Sequence, residues 1–421
     1  MDHKALVAVV GVALAARLIT SLFRITNGLV PVPFVGPTPW ADYNIYVSEL
    51  HFVAQGYLPY RDFGFSYMPL FLYALLPFYL LLGTYGASLV IVVSDALTAG
   101  VVYSITSRRL ESRLALVAGL TYALLPFALY NEGYLWLSSQ PMTLFTILSL
   151  YLLLERRTYW SFAALAIAVL FKQETIILLA PFVFWQYKRS LKRALKGIAL
   201  FAALVFAVSV PFLFLAADNY LAAVSYGLIR LGPLLPARVS LFPTSGGSVL
   251  HASLTCASTE VASRFTGEVC SGANVLSLSW LFTQPLAYRV ATSFASIAAL
   301  LAPLFFVLIC VALYAVRRAD NFMQLVSSAL LVGLLILFGA IIHAVYAYYF
   351  IPAYALILSA STDRTSLAIA IAGSLFPVLI PEGAFQLLFP VVILLALLVV
   401  KDRDISNRGS ISPADKSTAV S

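Results

Sequence analysis

Residues 39–70 read PWADYNIYVSELHFVAQGYLPYRDFGFSYMPL, placing Asp42, Glu49, Asp62 and Arg61 directly after the first apolar stretch. Acids beside a bilayer are costly to keep there without a purpose. If 41–55 is helical, Asn44, Ser48, His51 and Gln55 share one face, and Asp42, Tyr46 and Glu49 take the nearly opposite one. The first set is the water face. The two carboxylates then point toward the membrane body. They either cap the helix start, pair with Arg24 or Arg61, or, for Asp42 above all, supply a base that takes a proton from a hydroxyl.

A base of this kind works with a cation that steadies charge growing on a leaving oxygen, and Lys172, Arg230 and Arg61 are the candidates. Lys172 stands in Phe171-Lys172-Gln173-Glu174, where snorkelling or pairing with Glu174 is the plainer alternative. Arg230 lies in a long polar loop, where an interfacial role is as simple. His343 opens the aromatic stretch that contains Tyr346 and ends at Pro352, so it is either a hydrogen-bonded structural residue or a site residue. The tyrosines there form an aromatic platform for a ligand or an interfacial belt. Glu132 follows an apolar span, the Arg61–Asp62 turn either binds or only fixes its loop, and Asp95 lies inside a span, where it answers a backbone break or a hydroxyl such as Ser94 or Thr98. Cys256 and Cys270 share the long loop and form a disulfide if that side is oxidising, whereas Cys310 is a small residue within a span.

These residues must be positioned by membrane helices, because 62% of the chain is hydrophobic, 10% is charged and the mean hydropathy is +0.94. Apolar spans are expected near 5–22, 87–107, 114–130, 137–154, 160–171, 175–187, 197–216, 290–315, 322–342, 346–361, 366–380 and 385–400, about twelve in all. The first is too long for a signal-peptide core and has no small-residue cleavage site, so it reads as retained. The net charge of +8 reports topology: Arg108/Arg109/Arg113, Arg156/Arg157, the 188–196 cluster, Arg317/Arg318, Arg364 and Lys401/Arg403 all fall on the side of the N-terminus, the cytoplasmic one. That holds only if the apolar stretch 67–82 does not cross. Spans 160–171 and 175–187 are short, so they should leave a dent that puts Lys172, Gln173 and Glu174 below the membrane surface against a water-filled cavity. The expected organisation is one transmembrane domain over 1–400, with external loops 23–86 and 217–289, and a disordered cytoplasmic tail over 401–421. No Walker loop, G-x-G-x-x-G, zinc-ligand spacing, nucleic-acid module or transporter-type inverted repeat is visible.

Asp42-Tyr43, then Gly56-Tyr57-Leu58-Pro59-Tyr60, then Tyr67-Met68-Pro69-Leu70 resembles the D-Y, G-x-x-P-Y and Y-x-P-L series in the first external loop of GT-C glycosyltransferases. The likeness is to the polyprenyl- and dolichyl-phosphate-mannose-dependent mannosyltransferases, including the GPI-anchor type. It implies an all-α, GT-C-like bundle whose first external loop carries surface-lying helices. The implied activity is transfer of a sugar, mannose, from a polyprenyl or dolichyl phosphate to a membrane-associated or lipid-linked glycan on the external or lumenal side, with inversion. Asp42 takes the catalytic role, and Glu49, Arg61, Asp62, Glu132, Lys172, Glu174, Arg230, His343 and Tyr346 are the substrate-binding candidates. Trp40 stands where the GPI enzyme has the first acid of an Asp-x-Asp, so only Asp42 carries across, and no metal is required, although a divalent ion is compatible. The expected setting is a multi-pass protein in a prokaryotic plasma membrane rather than the endoplasmic reticulum, with the bilayer, donor and acceptor as partners and no nucleic acid. The alternative is a transporter or flippase that uses the same charges to hold a lipid-linked or polar substrate.

Overall fold

An apolar run capped by Asp2 makes the first helix, α1 (His3–Asn27): the Asp2 carboxylate accepts the Lys4 N–H at 2.9 Å, and Gly28 closes the other end at a φ of 70°. This is a computed structural model that describes residues 2–28, 40–65, 67–137, 139–229 and 351–379; the side chains of 40–42, 139, 188, 218, 222–229 and 376–379 lie outside that description. After α1 come α2 (Trp40–Ala54), α3 (Leu70–Leu82), α4 (Thr84–Thr106), α5 (Ser112–Ala123), a single turn α6 (Pro126–Ala128) and a π-helical turn (Leu129–Tyr134). They are followed by α7 (Ser139–Leu154), α8 (Thr158–Phe171), a 3-10 turn (Gln173–Leu178), α9 (Leu179–Arg189), α10 (Leu191–Ile229), α11 (Ile351–Ala360) and α12 (Arg364–Leu379). Among the described residues the only β pairing is an isolated bridge between Pro59 and Phe63.

Four described segments are long and apolar enough to cross a bilayer: His3–Asn27, Thr84–Thr106, Ser112–Tyr134 and Leu191–Ala217. With the composition, they make this an all-helical integral membrane protein. The first seven expected spans coincide with α1, α4, α5, α7, α8, α9 and α10 in order. Those at 290–315, 322–342 and 385–400, with the tail, lie outside the described residues.

One end of the bundle collects the basic clusters. The Tyr103 hydroxyl reaches the Asp2 carbonyl at 3.4 Å, Arg108 pairs with Glu155 at 2.5 Å, and Arg109 donates to the Ser359 and Ala360 carbonyls at 3.3 Å. The last contacts satisfy carbonyls at the C-terminal end of α11. The other end collects the tail of α1 and the head of α4. The Tyr134 hydroxyl bonds the Gly28 carbonyl at 3.0 Å, the Tyr43 hydroxyl donates to the Thr84 carbonyl, and Trp136 packs edge-on against both Tyr43 and Tyr85. The chain therefore leaves α1 and enters α4 at the same end.

Helix α3, 13 residues and about 20 Å long at 1.5 Å per residue, doubles back against α4 at Gly83 (φ 61°). Gly86 makes that turn possible, since a Cβ there would lie 1.9 Å from the Phe78 carbonyl oxygen.

Candidate functional site

The loop motif folds as a small core. Helix α2 forms over nearly the expected range, with Asn44, Ser48, His51 and Gln55 exposed and Tyr43, Tyr46, Glu49, Leu50 and Val53 buried. Gly56 ends it at a φ of 90°, a region open to glycine. Tyr60 also has positive φ, at 69°. This conformation is strained for a tyrosine and is held by several contacts: its hydroxyl donates to the Tyr67 carbonyl at 2.6 Å, Asn219 of α10 donates to its carbonyl at 2.9 Å, and its ring meets Phe65, Phe212 and Tyr220. Burial pushes the Tyr43 phenol up to about 12, so it stays a neutral donor. The glycine and the tyrosines thus shape the loop.

The Arg61–Asp62 turn is a structural device. Both oxygens of Asp62 take a guanidinium N–H at 2.8 Å, and one also accepts the Leu58 N–H at 2.8 Å. Arg61 and the Leu58 N–H hold the Asp62 carboxyl below its ordinary range. The pair is partly exposed, and the contacts it makes are within its own turn.

Below the loop lies a buried polar cluster. Lys172 ends α8 in an extended conformation and the 3-10 turn starts directly after it, so the backbone break puts Lys172, Gln173 and Glu174 side by side. They are 1%, 1% and 5% exposed, so they are packed inside protein; the expected exposure to a water-filled cavity is corrected accordingly. Lys172 Nζ is 3.8 Å from a Glu174 oxygen and 5.2 Å from the centroid of Tyr67, whose hydroxyl is 3.2 Å from that of Tyr46 on α2. Residues of the loop motif, the Asp42-bearing helix and the α8 break therefore meet at one point.

Glu132 is the second element of the cluster, and it is not in a loop. It lies in the π turn that continues α5 and α6, and it is fully buried. π turns recur at functional sites. Gln140, also fully buried, stands beside it as a hydrogen-bonding neighbour, and Asp95, Lys172 and Arg17 act on it by charge.

A clamp from α1 holds this turn in place. Ser21 donates to the Gly133 carbonyl at 2.7 Å and accepts the Trp136 indole N–H at 2.9 Å. Arg24 donates to the Tyr134 and Leu135 carbonyls at 2.8 and 2.6 Å, with its guanidinium 3.7 Å from the Trp136 ring. Arg24 is thus committed to carbonyls and an aromatic face.

Asp95 is answered differently from the sequence reading. It pairs with Arg17, the Tyr122 hydroxyl donates to its other oxygen at 2.9 Å, and Arg17 also reaches the Ala13 and Ala123 carbonyls. Sequence reasoning missed Arg17 and Gln140. The available signal for Arg17 was a cation within an apolar run, with Asp95 the one acid inside an expected span.

Of the other candidates, Glu49 is buried and acts electrostatically on Tyr60, and Asp42 takes its place in the first turn of α2 with its side chain outside the described atoms. Arg230, His343, Tyr346, Cys256 and Cys270 lie outside the described residues. No three His, Cys, Asp or Glu side chains converge as metal ligands among the described residues.

No family model matches the chain, and no curated protein sequence does. Among solved structures it is similar to the oligosaccharyltransferase of Archaeoglobus fulgidus in the apo form, at 13% identity and a TM-score of 0.43, over 94% of this chain and 55% of that one. The chain spans about half the length of that protein.

Proposed function

We propose that the protein is a GT-C-type glycosyltransferase, a mannosyltransferase that moves its sugar from a polyprenyl or dolichyl phosphate to a membrane-associated or lipid-linked glycan. The observation that carries this reading is Tyr67, a residue of the loop motif, standing over the buried Lys172 while bonded to Tyr46 on the Asp42 helix. A phosphate-binding cation and the base-bearing helix belong to one assembly.

In the proposed step Asp42 takes the proton of the acceptor hydroxyl as its oxygen attacks the anomeric carbon opposite the phosphate. The bond from carbon to phosphate oxygen breaks, the configuration inverts, and polyprenyl phosphate leaves with its charge steadied by Lys172. A phosphate is already a fair leaving group, so the second carboxylate of a glycosidase pair has no acid to supply. Glu132 and Gln140 line the acceptor side in this reading. The step needs no metal, and transfer that persists in EDTA is the check on that point.

Asp42→Asn keeps shape and hydrogen bonding but removes the base, so transfer from labelled polyprenyl-phosphate-mannose should fall about 100-fold or more with donor binding little changed. Lys172→Gln should weaken donor binding as well as turnover, because it removes charge from both ground and transition states. Transfer at the parental rate by Asp42→Asn in nanodiscs would refute the base assignment. Labelled donor that crosses the bilayer without forming product would favour a transporter.

A further inference from the structure

At the basic end of the bundle, three helix termini converge. Thr158, at the start of α8, donates to Gln186 near the end of α9 at 3.3 Å, and Gly197 lets the second turn of α10 press against the Phe162 ring, where a Cβ would lie 2.7 Å away. Exposed on this corner are Arg157, Lys192, Arg193 and Lys196, none of which forms an ion pair among the described residues. The charge is one-sided: between Arg156 and Ala217 the only acid is Glu174, buried beside Lys172 at the opposite end of α8.

The same corner exposes aromatic and apolar groups where a soluble surface would hide them. Trp160 is 70% exposed, and Tyr159, Tyr187, Leu191 and Leu195, near the same helix ends, are exposed as well. Helix α10, which carries the lysines, is a membrane-length span of which only 17% of the most apolar stretch is buried inside the protein. It therefore runs along the lipid-facing edge, and its first turns lie where that edge meets the headgroups. Cations beside exposed Trp and Tyr at this depth match a phosphate with acyl chains below it, and they match a soluble acidic partner poorly.

We propose that the junction of α8, α9 and α10 is a binding site for anionic phospholipid headgroups, held by Arg157, Lys192, Arg193 and Lys196 with Trp160 at the acyl boundary. The site is separate from the Lys172 cluster and does not depend on the reading of that cluster.

The test uses the purified full chain in neutral detergent, titrated with phosphatidylglycerol, phosphatidylcholine or glycerol phosphate, while thermal unfolding and retained lipid are followed. Phosphatidylglycerol alone should raise the unfolding midpoint at low salt. Neutralising three cations in Lys192→Gln/Arg193→Gln/Lys196→Gln should weaken its binding about 100-fold. The charge-keeping set Lys192→Arg/Arg193→Lys/Lys196→Arg should retain it. If the neutralised protein fails to fold, the parent still decides the matter, because the stabilisation must fade at high salt. The proposal is overturned if phosphatidylglycerol gives no shift, which leaves the corner to an acidic soluble partner. It is also overturned by a shift that glycerol phosphate reproduces, that survives high salt, or that is equal in the neutralised protein.

Discussion

Asp95 and Glu132 are both carboxylates with no exposed surface, yet their surroundings give them opposite tasks. Asp95 is enclosed by Arg17 and the Tyr122 hydroxyl, whereas Glu132 has the neutral Gln140 amide beside it and no ion pair among the described residues. Removing the charge of Asp95 strands a buried guanidinium, so Asp95→Asn should lower stability by about 3–5 kcal/mol. Glu132→Gln keeps the shape of the side chain and strands no buried cation, so it should leave stability nearly unchanged, and lower transfer if the cluster is the active site. Chemical denaturation in detergent measures both, and equal losses would show that Glu132 is a structural acid. Glu132 was visible in the sequence as an acid after an apolar span. The tie between Arg17 and Asp95 was not, because 78 residues separate them and only the packing of α1 on α4 brings them together.

The π turn that carries Glu132 keeps its position through close backbone contact with α1. A Cβ on Gly133 would fall 2.2 Å from Thr20 Oγ1, which is itself fixed by donating to the Arg17 carbonyl at 2.9 Å. Gly133→Ala should therefore push the turn off α1, costing about 1–3 kcal/mol as an overpacked contact. Adding Thr20→Ala removes the obstructing oxygen and should restore most of the thermal stability. Absence of rescue would mean that Gly133 is needed for its backbone freedom. Amphipathic α2 was legible from the spacing of its polar residues, and the break at Lys172 from two apolar runs too short to be ordinary spans. The π turn was not, since LYNEGY carries no periodicity of its own and its shape is set by Ser21 and Arg24 acting from α1, with Trp136 beyond the turn bonded to Ser21. The motif tyrosines were legible as a pattern but not as a scaffold, because Tyr60 and Tyr67 show their work only through contacts with α10 and Lys172.

Across the whole molecule, charge and chemistry are sorted to opposite ends. Arg108, Arg109 and the α8–α9–α10 cations occupy the end shared with Asp2, while Glu132, Lys172 and the α2 loop occupy the end where α1 stops and α4 begins. The buried ion pair of Arg17 and Asp95 ties α1 to α4 between them. Charge counting expects this sorting on the condition that 67–82 stays on one side, a condition on α3, which folds back onto α4 at Gly83. A direct check replaces the 3 native cysteines with serine and introduces single cysteines at the exposed positions Gln55, Leu82 and Glu111. An impermeant thiol reagent on intact cells should label Gln55→Cys and Leu82→Cys together and Glu111→Cys only after the membrane is opened, if the N-terminus is cytoplasmic. The reverse pattern would invert the protein in the bilayer but keep α3 on one side. Labelling that groups Gln55→Cys with Glu111→Cys and sets Leu82→Cys apart would make α3 a true crossing, and the loop motif could then not share an end with Lys172.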